Sequence, residues 1–83
     1  MYKEMLNNDV TVMVSPRVEN FLEYTGVLVE ENEETLTLKN VSINYAILNF
    51  QKNIFGENIN SYKKDIESVI INKKYIISCN KNK

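Results

Sequence analysis

The side chains best suited to contact a charged ligand are lysines in the second half of the chain. They occur as the pairs Lys63-Lys64 and Lys73-Lys74, and the second pair separates two runs of β-branched residues. Lysines in such a turn project into solvent, where they can neutralise phosphates. The ordinary role of exposed lysines at turns is solubility. Phosphate contact and solubility are therefore the two interpretations to separate.

The residue inventory argues against catalysis. The chain has no histidine, two glycines and one cysteine, so it lacks an imidazole base and the glycines of a phosphate-binding loop. A cluster of glutamates could bind a hard cation in principle, but a solvated acidic turn is the ordinary interpretation; its members are Glu30, Glu31, Glu33 and Glu34. We predict a non-enzyme with no cofactor and no metal site.

Charge is distributed unevenly along the chain. Residues 1–34 hold two basic and eight acidic residues, a net −6, whereas residues 35–83 hold eight lysines and three acids, a net +5. A polyanion-facing surface is therefore expected from the second half. Aromatic side chains there could stack on bases, although packing is their commoner role; they are Tyr45, Phe50, Phe55, Tyr62 and Tyr75.

At 83 residues the chain has room for one domain, residues 1–83, with a flexible tail at 80–83. A domain this small gains from self-association. Cys79 is the single cysteine, in an apolar run, which favours a packing role and a reducing compartment. No signal peptide or membrane span is recognisable, so a cytoplasmic location is expected. The excess of asparagine, isoleucine and lysine indicates AT-rich codons, as in a phage or a low-GC bacterium.

Period-two patterns predict the first three strands. Residues 10–14 alternate and stop at Ser15-Pro16, residues 24–30 form a second strand, and a polar turn leads to residues 35–39. The third strand continues to residue 50, long and bent, with a bulge near Asn40. The second and third strands form the clearest hairpin.

The last third of the chain is less clear. Residues 51–61 are predicted to form an exposed loop. Residues 62–71 suit either a strand or a helix capped by Ser61, and we favour a strand that forms a closing hairpin with residues 75–78. Tyr2, Met5 and Leu6 have helical spacing. The predicted fold class is mainly β: a small five-stranded barrel, SH3-like or OB-like, with a short N-terminal helix.

The hairpin resembles the first signature of the Sm and LSm family, which includes the Hfq type. The rhythm of that signature is followed by Gly26, Leu28, Asn32, Leu36, Leu38 and Val41. The second signature is echoed by residues 70–77, Ile-Ile-Asn-Lys-Lys-Tyr-Ile-Ile. The likeness covers residues 9–79. Asn32 stands where the family has aspartate, Asn72-Lys73 replaces arginine-glycine, and the usual base-contacting asparagine of the first turn is absent.

The resemblance implies an Sm-like barrel in a homo-oligomeric ring of roughly five to seven subunits. In such rings the fourth strand of one subunit pairs with the fifth of the next, and the two signature turns line a pore that holds single-stranded RNA. Carried onto this chain, the resemblance nominates Asn32, Asn72, Lys73 and Lys74 for binding single-stranded RNA or DNA. The glutamates beside Asn32 would repel phosphate.

Two other interpretations remain open. One is an SH3-like barrel that serves as a protein-interaction or structural module of a phage or mobile element and binds no nucleic acid; the acidic first half and the altered pore residues favour it. The other is a mixed α/β fold in which residues 61–73 form a helix.

Overall fold

A computed structural model describes residues 2–17, 20–48 and 59–82. A 3₁₀ helix at Tyr2–Met5 is followed by five strands: β1 Asp9–Arg17, β2 Asn20–Glu31, β3 Thr35–Leu48, β4 Ile59–Asn72 and β5 Ile76–Lys81. A second 3₁₀ helix, Lys73–Tyr75, joins β4 to β5. Of the predicted loop, residues 51–61, the first eight lie outside the described residues and the last three belong to β4. The side chains of Phe50, Phe55 and Tyr62 are likewise not described.

The mainly β fold is confirmed, as a single antiparallel sheet with the strand order β4-β3-β2-β1-β5. The sheet is not closed, because β4 and β5 lie at its opposite edges. The predicted β4–β5 hairpin is therefore wrong. The side-chain oxygen of Asn72 accepts a hydrogen bond from the backbone N–H of Lys74, 3.0 Å away, which stabilises the short 3₁₀ helix and leads β5 to β1.

The core lies on one face of the sheet. Apolar residues alternate along β1 as the period of a strand requires, and they meet side chains of β2, β3 and β4. The buried set is Val10, Val12, Val14, Leu28, Leu36, Leu38, Val41 and Ile71. Tyr2, Met5 and Leu6 pack against this core from the N-terminal segment, where the predicted short helix is confirmed in 3₁₀ form.

The long third strand is bent at the predicted bulge. Asn40 has a φ of 54°, and the β2–β3 register shifts between Thr25 and Val27. Gly26 lies beside this bend, where an added Cβ would be 2.8 Å from the carbonyl oxygen of Lys39. That backbone atom cannot move aside as a flexible side chain would, so the bend requires glycine here.

Residues 61–72 belong to β4 and Lys73 begins the second 3₁₀ helix, so the alternative in which residues 61–73 form one helix is wrong. Two strand ends also differ from prediction. β1 runs past Pro16, because Pro16 has no ladder partner in the irregularity between Val14 and Arg17 and needs no N–H there. Within the predicted tail, Asn80 and Lys81 pair with β1, and the backbone N–H of Asn82 donates to the backbone oxygen of Asp9 at 2.8 Å.

The two edge strands differ. β4 has 14 residues, and no register shift interrupts its pairing with β3. β5 has 6 residues and contains a bulge, since Val14 faces Ile76 while Met13 faces Ser78, which leaves Ile77 as the extra residue. Each edge exposes an isoleucine: Ile70 on β4 is 69% exposed and Ile77 on β5 is 57% exposed.

Candidate functional site

The two turns nominated from the sequence meet at one end of the sheet. We call residues 32–34 the acidic turn and residues 72–75 the basic turn. Thr35 and Asn72 are register partners in the β3–β4 ladder, and the backbone N–H of Lys73 donates to the carbonyl oxygen of Glu34 at 2.8 Å. Asn32, Asn72, Lys73 and Lys74 are therefore brought together, although 40 positions separate the two asparagines.

Asn32 holds the acidic turn in shape. Its side-chain oxygen accepts hydrogen bonds from the backbone N–H of Glu34 at 3.0 Å and from the N–H and hydroxyl of Thr35 at 2.9 and 3.1 Å. This is the local side-chain-to-backbone bonding that favours asparagine in turns. The oxygen is committed to the fold, so the exposed side-chain NH₂ group remains as a donor for a ligand.

Asn72 has the same role in the basic turn. Its oxygen accepts the bond from Lys74, and the turn closes where the N–H of Ile76 donates to the carbonyl oxygen of Lys73. Asn72 is exposed. Its NH₂ group, like that of Asn32, is the part of the side chain left to face a ligand.

Lys73 is engaged within the protein. Its Nζ forms an ion pair with the Glu31 carboxylate, and these side chains are only 20% and 10% exposed, respectively. The same Nζ lies 5.0 Å from the centre of the Tyr2 ring, within cation–π range. The hydrogen bond from Lys73 lowers the pKa of the Glu31 carboxyl; partial burial opposes this shift, and the charges of Lys73 and Lys3 reinforce it.

Lys74 faces solvent. It is exposed, and its Nζ lies 5.1 Å from the centre of the Tyr75 ring, which is itself 46% exposed. The basic turn therefore presents a cation beside an aromatic face. Proteins that bind single-stranded nucleic acids use this combination to contact phosphates and bases.

The acidic turn opposes that charge. Glu33 and Glu34 are exposed, as is Glu30 at the end of β2. Within the described residues, no group of three or more acidic, cysteine or histidine side chains is arranged to hold a metal ion. The glutamates are thus a source of negative potential around the two turns.

A groove opens next to the basic turn. It has a volume of about 270 Å³ and runs between the ends of β1 and β2 on one side and β4 with the basic turn on the other; it is lined by Val14, Leu22, Tyr24, Ile70, Ile71, Asn72 and Tyr75. Burial raises the pKa of the Tyr24 hydroxyl. The groove adjoins the β4 edge, since Ile70 and Ile71 belong to both.

Cys79 packs against the core, as predicted. Its Sγ lies 3.6 Å from the Sδ of Met5. Burial raises the pKa of the thiol, so it is protonated at neutral pH and a poor nucleophile. It takes no part in the site.

Sequence reasoning missed the roles of Glu31 and Tyr2. By sequence alone, Glu31 belongs to the acidic cluster, and Tyr2 shows only helical spacing with Met5 and Leu6. Lys73 is 42 positions from Glu31, and no short-range pattern signals such a pair. Alternation from the buried Leu28 would place Glu30 on the core face; only the register shift between Leu28 and Glu30 pairs Glu31 with the buried Leu36.

Among the described residues no helix is long and apolar enough to cross a membrane. No family model, curated protein or solved structure matches the chain.

Proposed function

We propose that this protein is a non-catalytic, Sm-like, ring-forming protein of the cytoplasm that binds single-stranded RNA or DNA. The observation that carries the proposal is the meeting of the acidic and basic turns at one end of a sheet whose two edges are unpaired. Assembly and ligand binding rest on different contacts and can be tested separately.

Assembly is supported by the sheet edges. An unpaired edge presents free N–H and C=O groups and is a template for another strand. β4 and β5 each add an exposed isoleucine, Ile70 and Ile77, and β4 also borders the apolar groove. Pairing β4 of one subunit with β5 of the next would satisfy both edges and cover these side chains. Repeating the contact gives a ring where the rotation between subunits closes, and the resemblance implies roughly five to seven subunits.

Ligand binding is supported by the exposed groups of the two turns. Lys74 supplies a charge for phosphate, Tyr75 supplies a stacking face, and the NH₂ groups of Asn32 and Asn72 can donate to base or phosphate oxygens. Glu33 and Glu34 reduce the attraction. Each subunit therefore offers a weak site, and a ring strengthens it by presenting several sites to one strand.

The proposal is tested by native mass spectrometry together with fluorescence anisotropy on oligo-U, oligo-A and single-stranded DNA. We expect a discrete oligomer and binding that weakens as salt rises. A monomer at micromolar concentration, or no salt-sensitive binding to any of the three strands, would refute it.

Edge variants locate the assembly contact. Ile70→Asp and Ile77→Asp place a charge on β4 and β5, and each should shift the oligomer towards monomer. Val29→Asp is the matched control, because Val29 is also partly exposed, at 36%, but lies on the central strand β2. Dissociation by Val29→Asp alone would contradict edge pairing.

A second function, a protein-interaction module, is favoured by one observation: the groove and the exposed glutamates form an apolar surface next to an acidic one. The double variant Lys73→Glu/Lys74→Glu separates the two functions. Loss of oligonucleotide binding supports the first, and retention of the cellular role in the double variant supports the second.

A further inference from the structure

The two lysines of the basic turn have different surroundings. Lys74 is exposed beside the Tyr75 ring, whereas Lys73 lies between the Glu31 carboxylate and the Tyr2 ring. The charge of Lys73 is already neutralised within the chain. A phosphate would have to compete with the Glu31 carboxylate for this lysine.

Displacement would be costly because of where Glu31 sits. The Glu31 side chain is 10% exposed, and removing the ion-pair partner of its carboxylate would leave a charge with little access to water. The backbone also fixes Lys73, since its N–H donates to Glu34. This bond fixes the main chain of Lys73 close to the end of β2, where its side chain meets Glu31.

We propose that Glu31 is a counter-anion that lowers the affinity for nucleic acid by holding Lys73 away from phosphate, so that the basic turn of each subunit supplies one free cation, Lys74. This inference rests on the proposed function. It makes Glu31 a determinant of affinity although it does not touch the ligand, and it makes Tyr2, which covers the other side of the ammonium group, part of the same restraint.

The first test is a pair of isosteric variants that remove the same charge. Glu31→Gln releases Lys73, whereas Glu33→Gln, in the exposed acidic turn, leaves the Lys73–Glu31 pair intact. We expect Glu31→Gln to bind oligo-U more tightly. Its affinity should also be more sensitive to salt, because a further phosphate contact is made: for each Lys73 that is engaged, the fold-loss of affinity between 50 and 200 mM salt should be about two to three times that of the wild type. Glu33→Gln should produce a smaller gain. Equal effects of the two variants would overturn the inference.

A double-mutant cycle then assigns the gain to Lys73. Lys73→Gln should change oligonucleotide affinity little in the wild-type background and should abolish the gain in the Glu31→Gln background. Thermal unfolding of each variant verifies that the fold is retained. Equal loss in both backgrounds would show that Lys73 already contacts phosphate and would overturn the inference.

A ligand-free measurement keeps the inference separable from the proposed function. Under limiting acetic anhydride, mass spectrometry should find Lys73 modified more slowly than Lys74. Glu31→Gln should raise the reactivity of Lys73 towards that of Lys74, and Glu33→Gln should not. Equal reactivity of the two lysines in wild type overturns the restraint. If neither the wild type nor any variant binds the oligonucleotides, the proposed function and this inference are overturned together. If they bind but Glu31→Gln has no higher affinity than wild type, the inference alone is overturned.

Discussion

The acidic and basic turns use the same device with opposite charge. In each, an asparagine side-chain oxygen accepts backbone N–H groups, from Glu34 and Thr35 in one turn and from Lys74 in the other. The amide fixes the shape, and the residues that follow it set the potential. The comparison teaches that shape and charge are encoded by separate positions, so each can be changed without the other.

The two turns are nevertheless not independent. The basic turn gives one of its two lysines to Glu31, at the end of the strand that leads into the acidic turn. The backbone bond from Lys73 to Glu34 adds a second connection. A substitution in one turn is therefore expected to affect the other. Variants can separate the effects that reach both turns from those confined to one.

Reversing the exposed charge of the basic turn should have the largest effect. Lys74→Glu removes the solvent-facing cation and adds repulsion next to Glu33 and Glu34, so we expect oligonucleotide binding in anisotropy titrations to be lost. Lys63→Glu is the control, since Lys63 is exposed on β4 opposite Asn44, away from the turns. Equal loss from both variants would mean that overall charge, and not the basic turn, governs binding.

Removing the two amides should destabilise the turns unequally. Asn32→Ala deletes an acceptor of three hydrogen bonds and should cost about 1–2 kcal/mol, whereas Asn72→Ala deletes one and should cost about 0.5–1 kcal/mol. Urea denaturation measures both. Asn32→Asp retains the acceptor and should remain close to wild type. A larger cost at Asn72 would reverse the comparison.

Acid should weaken the connection between the turns. The pKa of Glu31 is lowered in the folded state, so its stabilising contribution is complete above the unfolded-state pKa of about 4.3 and is lost as pH falls through the lower folded value. We expect the free energy of unfolding to fall over that acidic range, and the Glu31→Gln variant to lack this part of the dependence. Identical pH profiles of the two proteins would argue against a role of the pair in stability.

Neutralising the outer acidic turn should have the smallest effect. Glu33 is exposed, and none of the described hydrogen bonds or ion pairs uses its side chain, so Glu33→Gln should change stability by no more than about 0.5 kcal/mol. Its effect on oligonucleotide affinity should be a small gain that disappears at high salt. A change in thermal stability comparable to that of Asn32→Ala would show that the charge also shapes the turn.

Strands were predictable from the sequence where neighbours along the chain decide them. The alternation in β1, the β2–β3 hairpin and the bulge at Asn40 all depend on local patterns. The prediction of a β4–β5 hairpin is wrong because a polar segment between two β-branched runs can either form a hairpin or connect strands at opposite edges of a sheet. The choice is made by the pairing of β5 with β1, which lies near the other end of the chain. The contact of Asn82 is not visible in the sequence for the same reason, because its partner Asp9 lies near the other end of the chain.

The residues that meet at the candidate site could be predicted from the sequence, but the different contacts of each residue could not. The resemblance nominated Asn32, Asn72, Lys73 and Lys74, and register places all four at one end of the sheet. Nothing in the spacing distinguishes Lys73 from Lys74, which are adjacent and identical in type. The difference arises from a 3₁₀ turn that directs one lysine towards Glu31 and Tyr2 and the other towards Tyr75.

The unequal edges of the sheet give the subunit a direction. A long regular strand at one edge and a short bulged strand at the other cannot substitute for each other, so contact between unlike edges is polar and leaves a fresh copy of each edge for the next subunit. Contact between two β4 edges would instead stop at a dimer. In the proposed assembly, the angle between successive subunits decides whether the chain of subunits closes on itself or grows as an open filament, and a peptide that mimics β5 would terminate it.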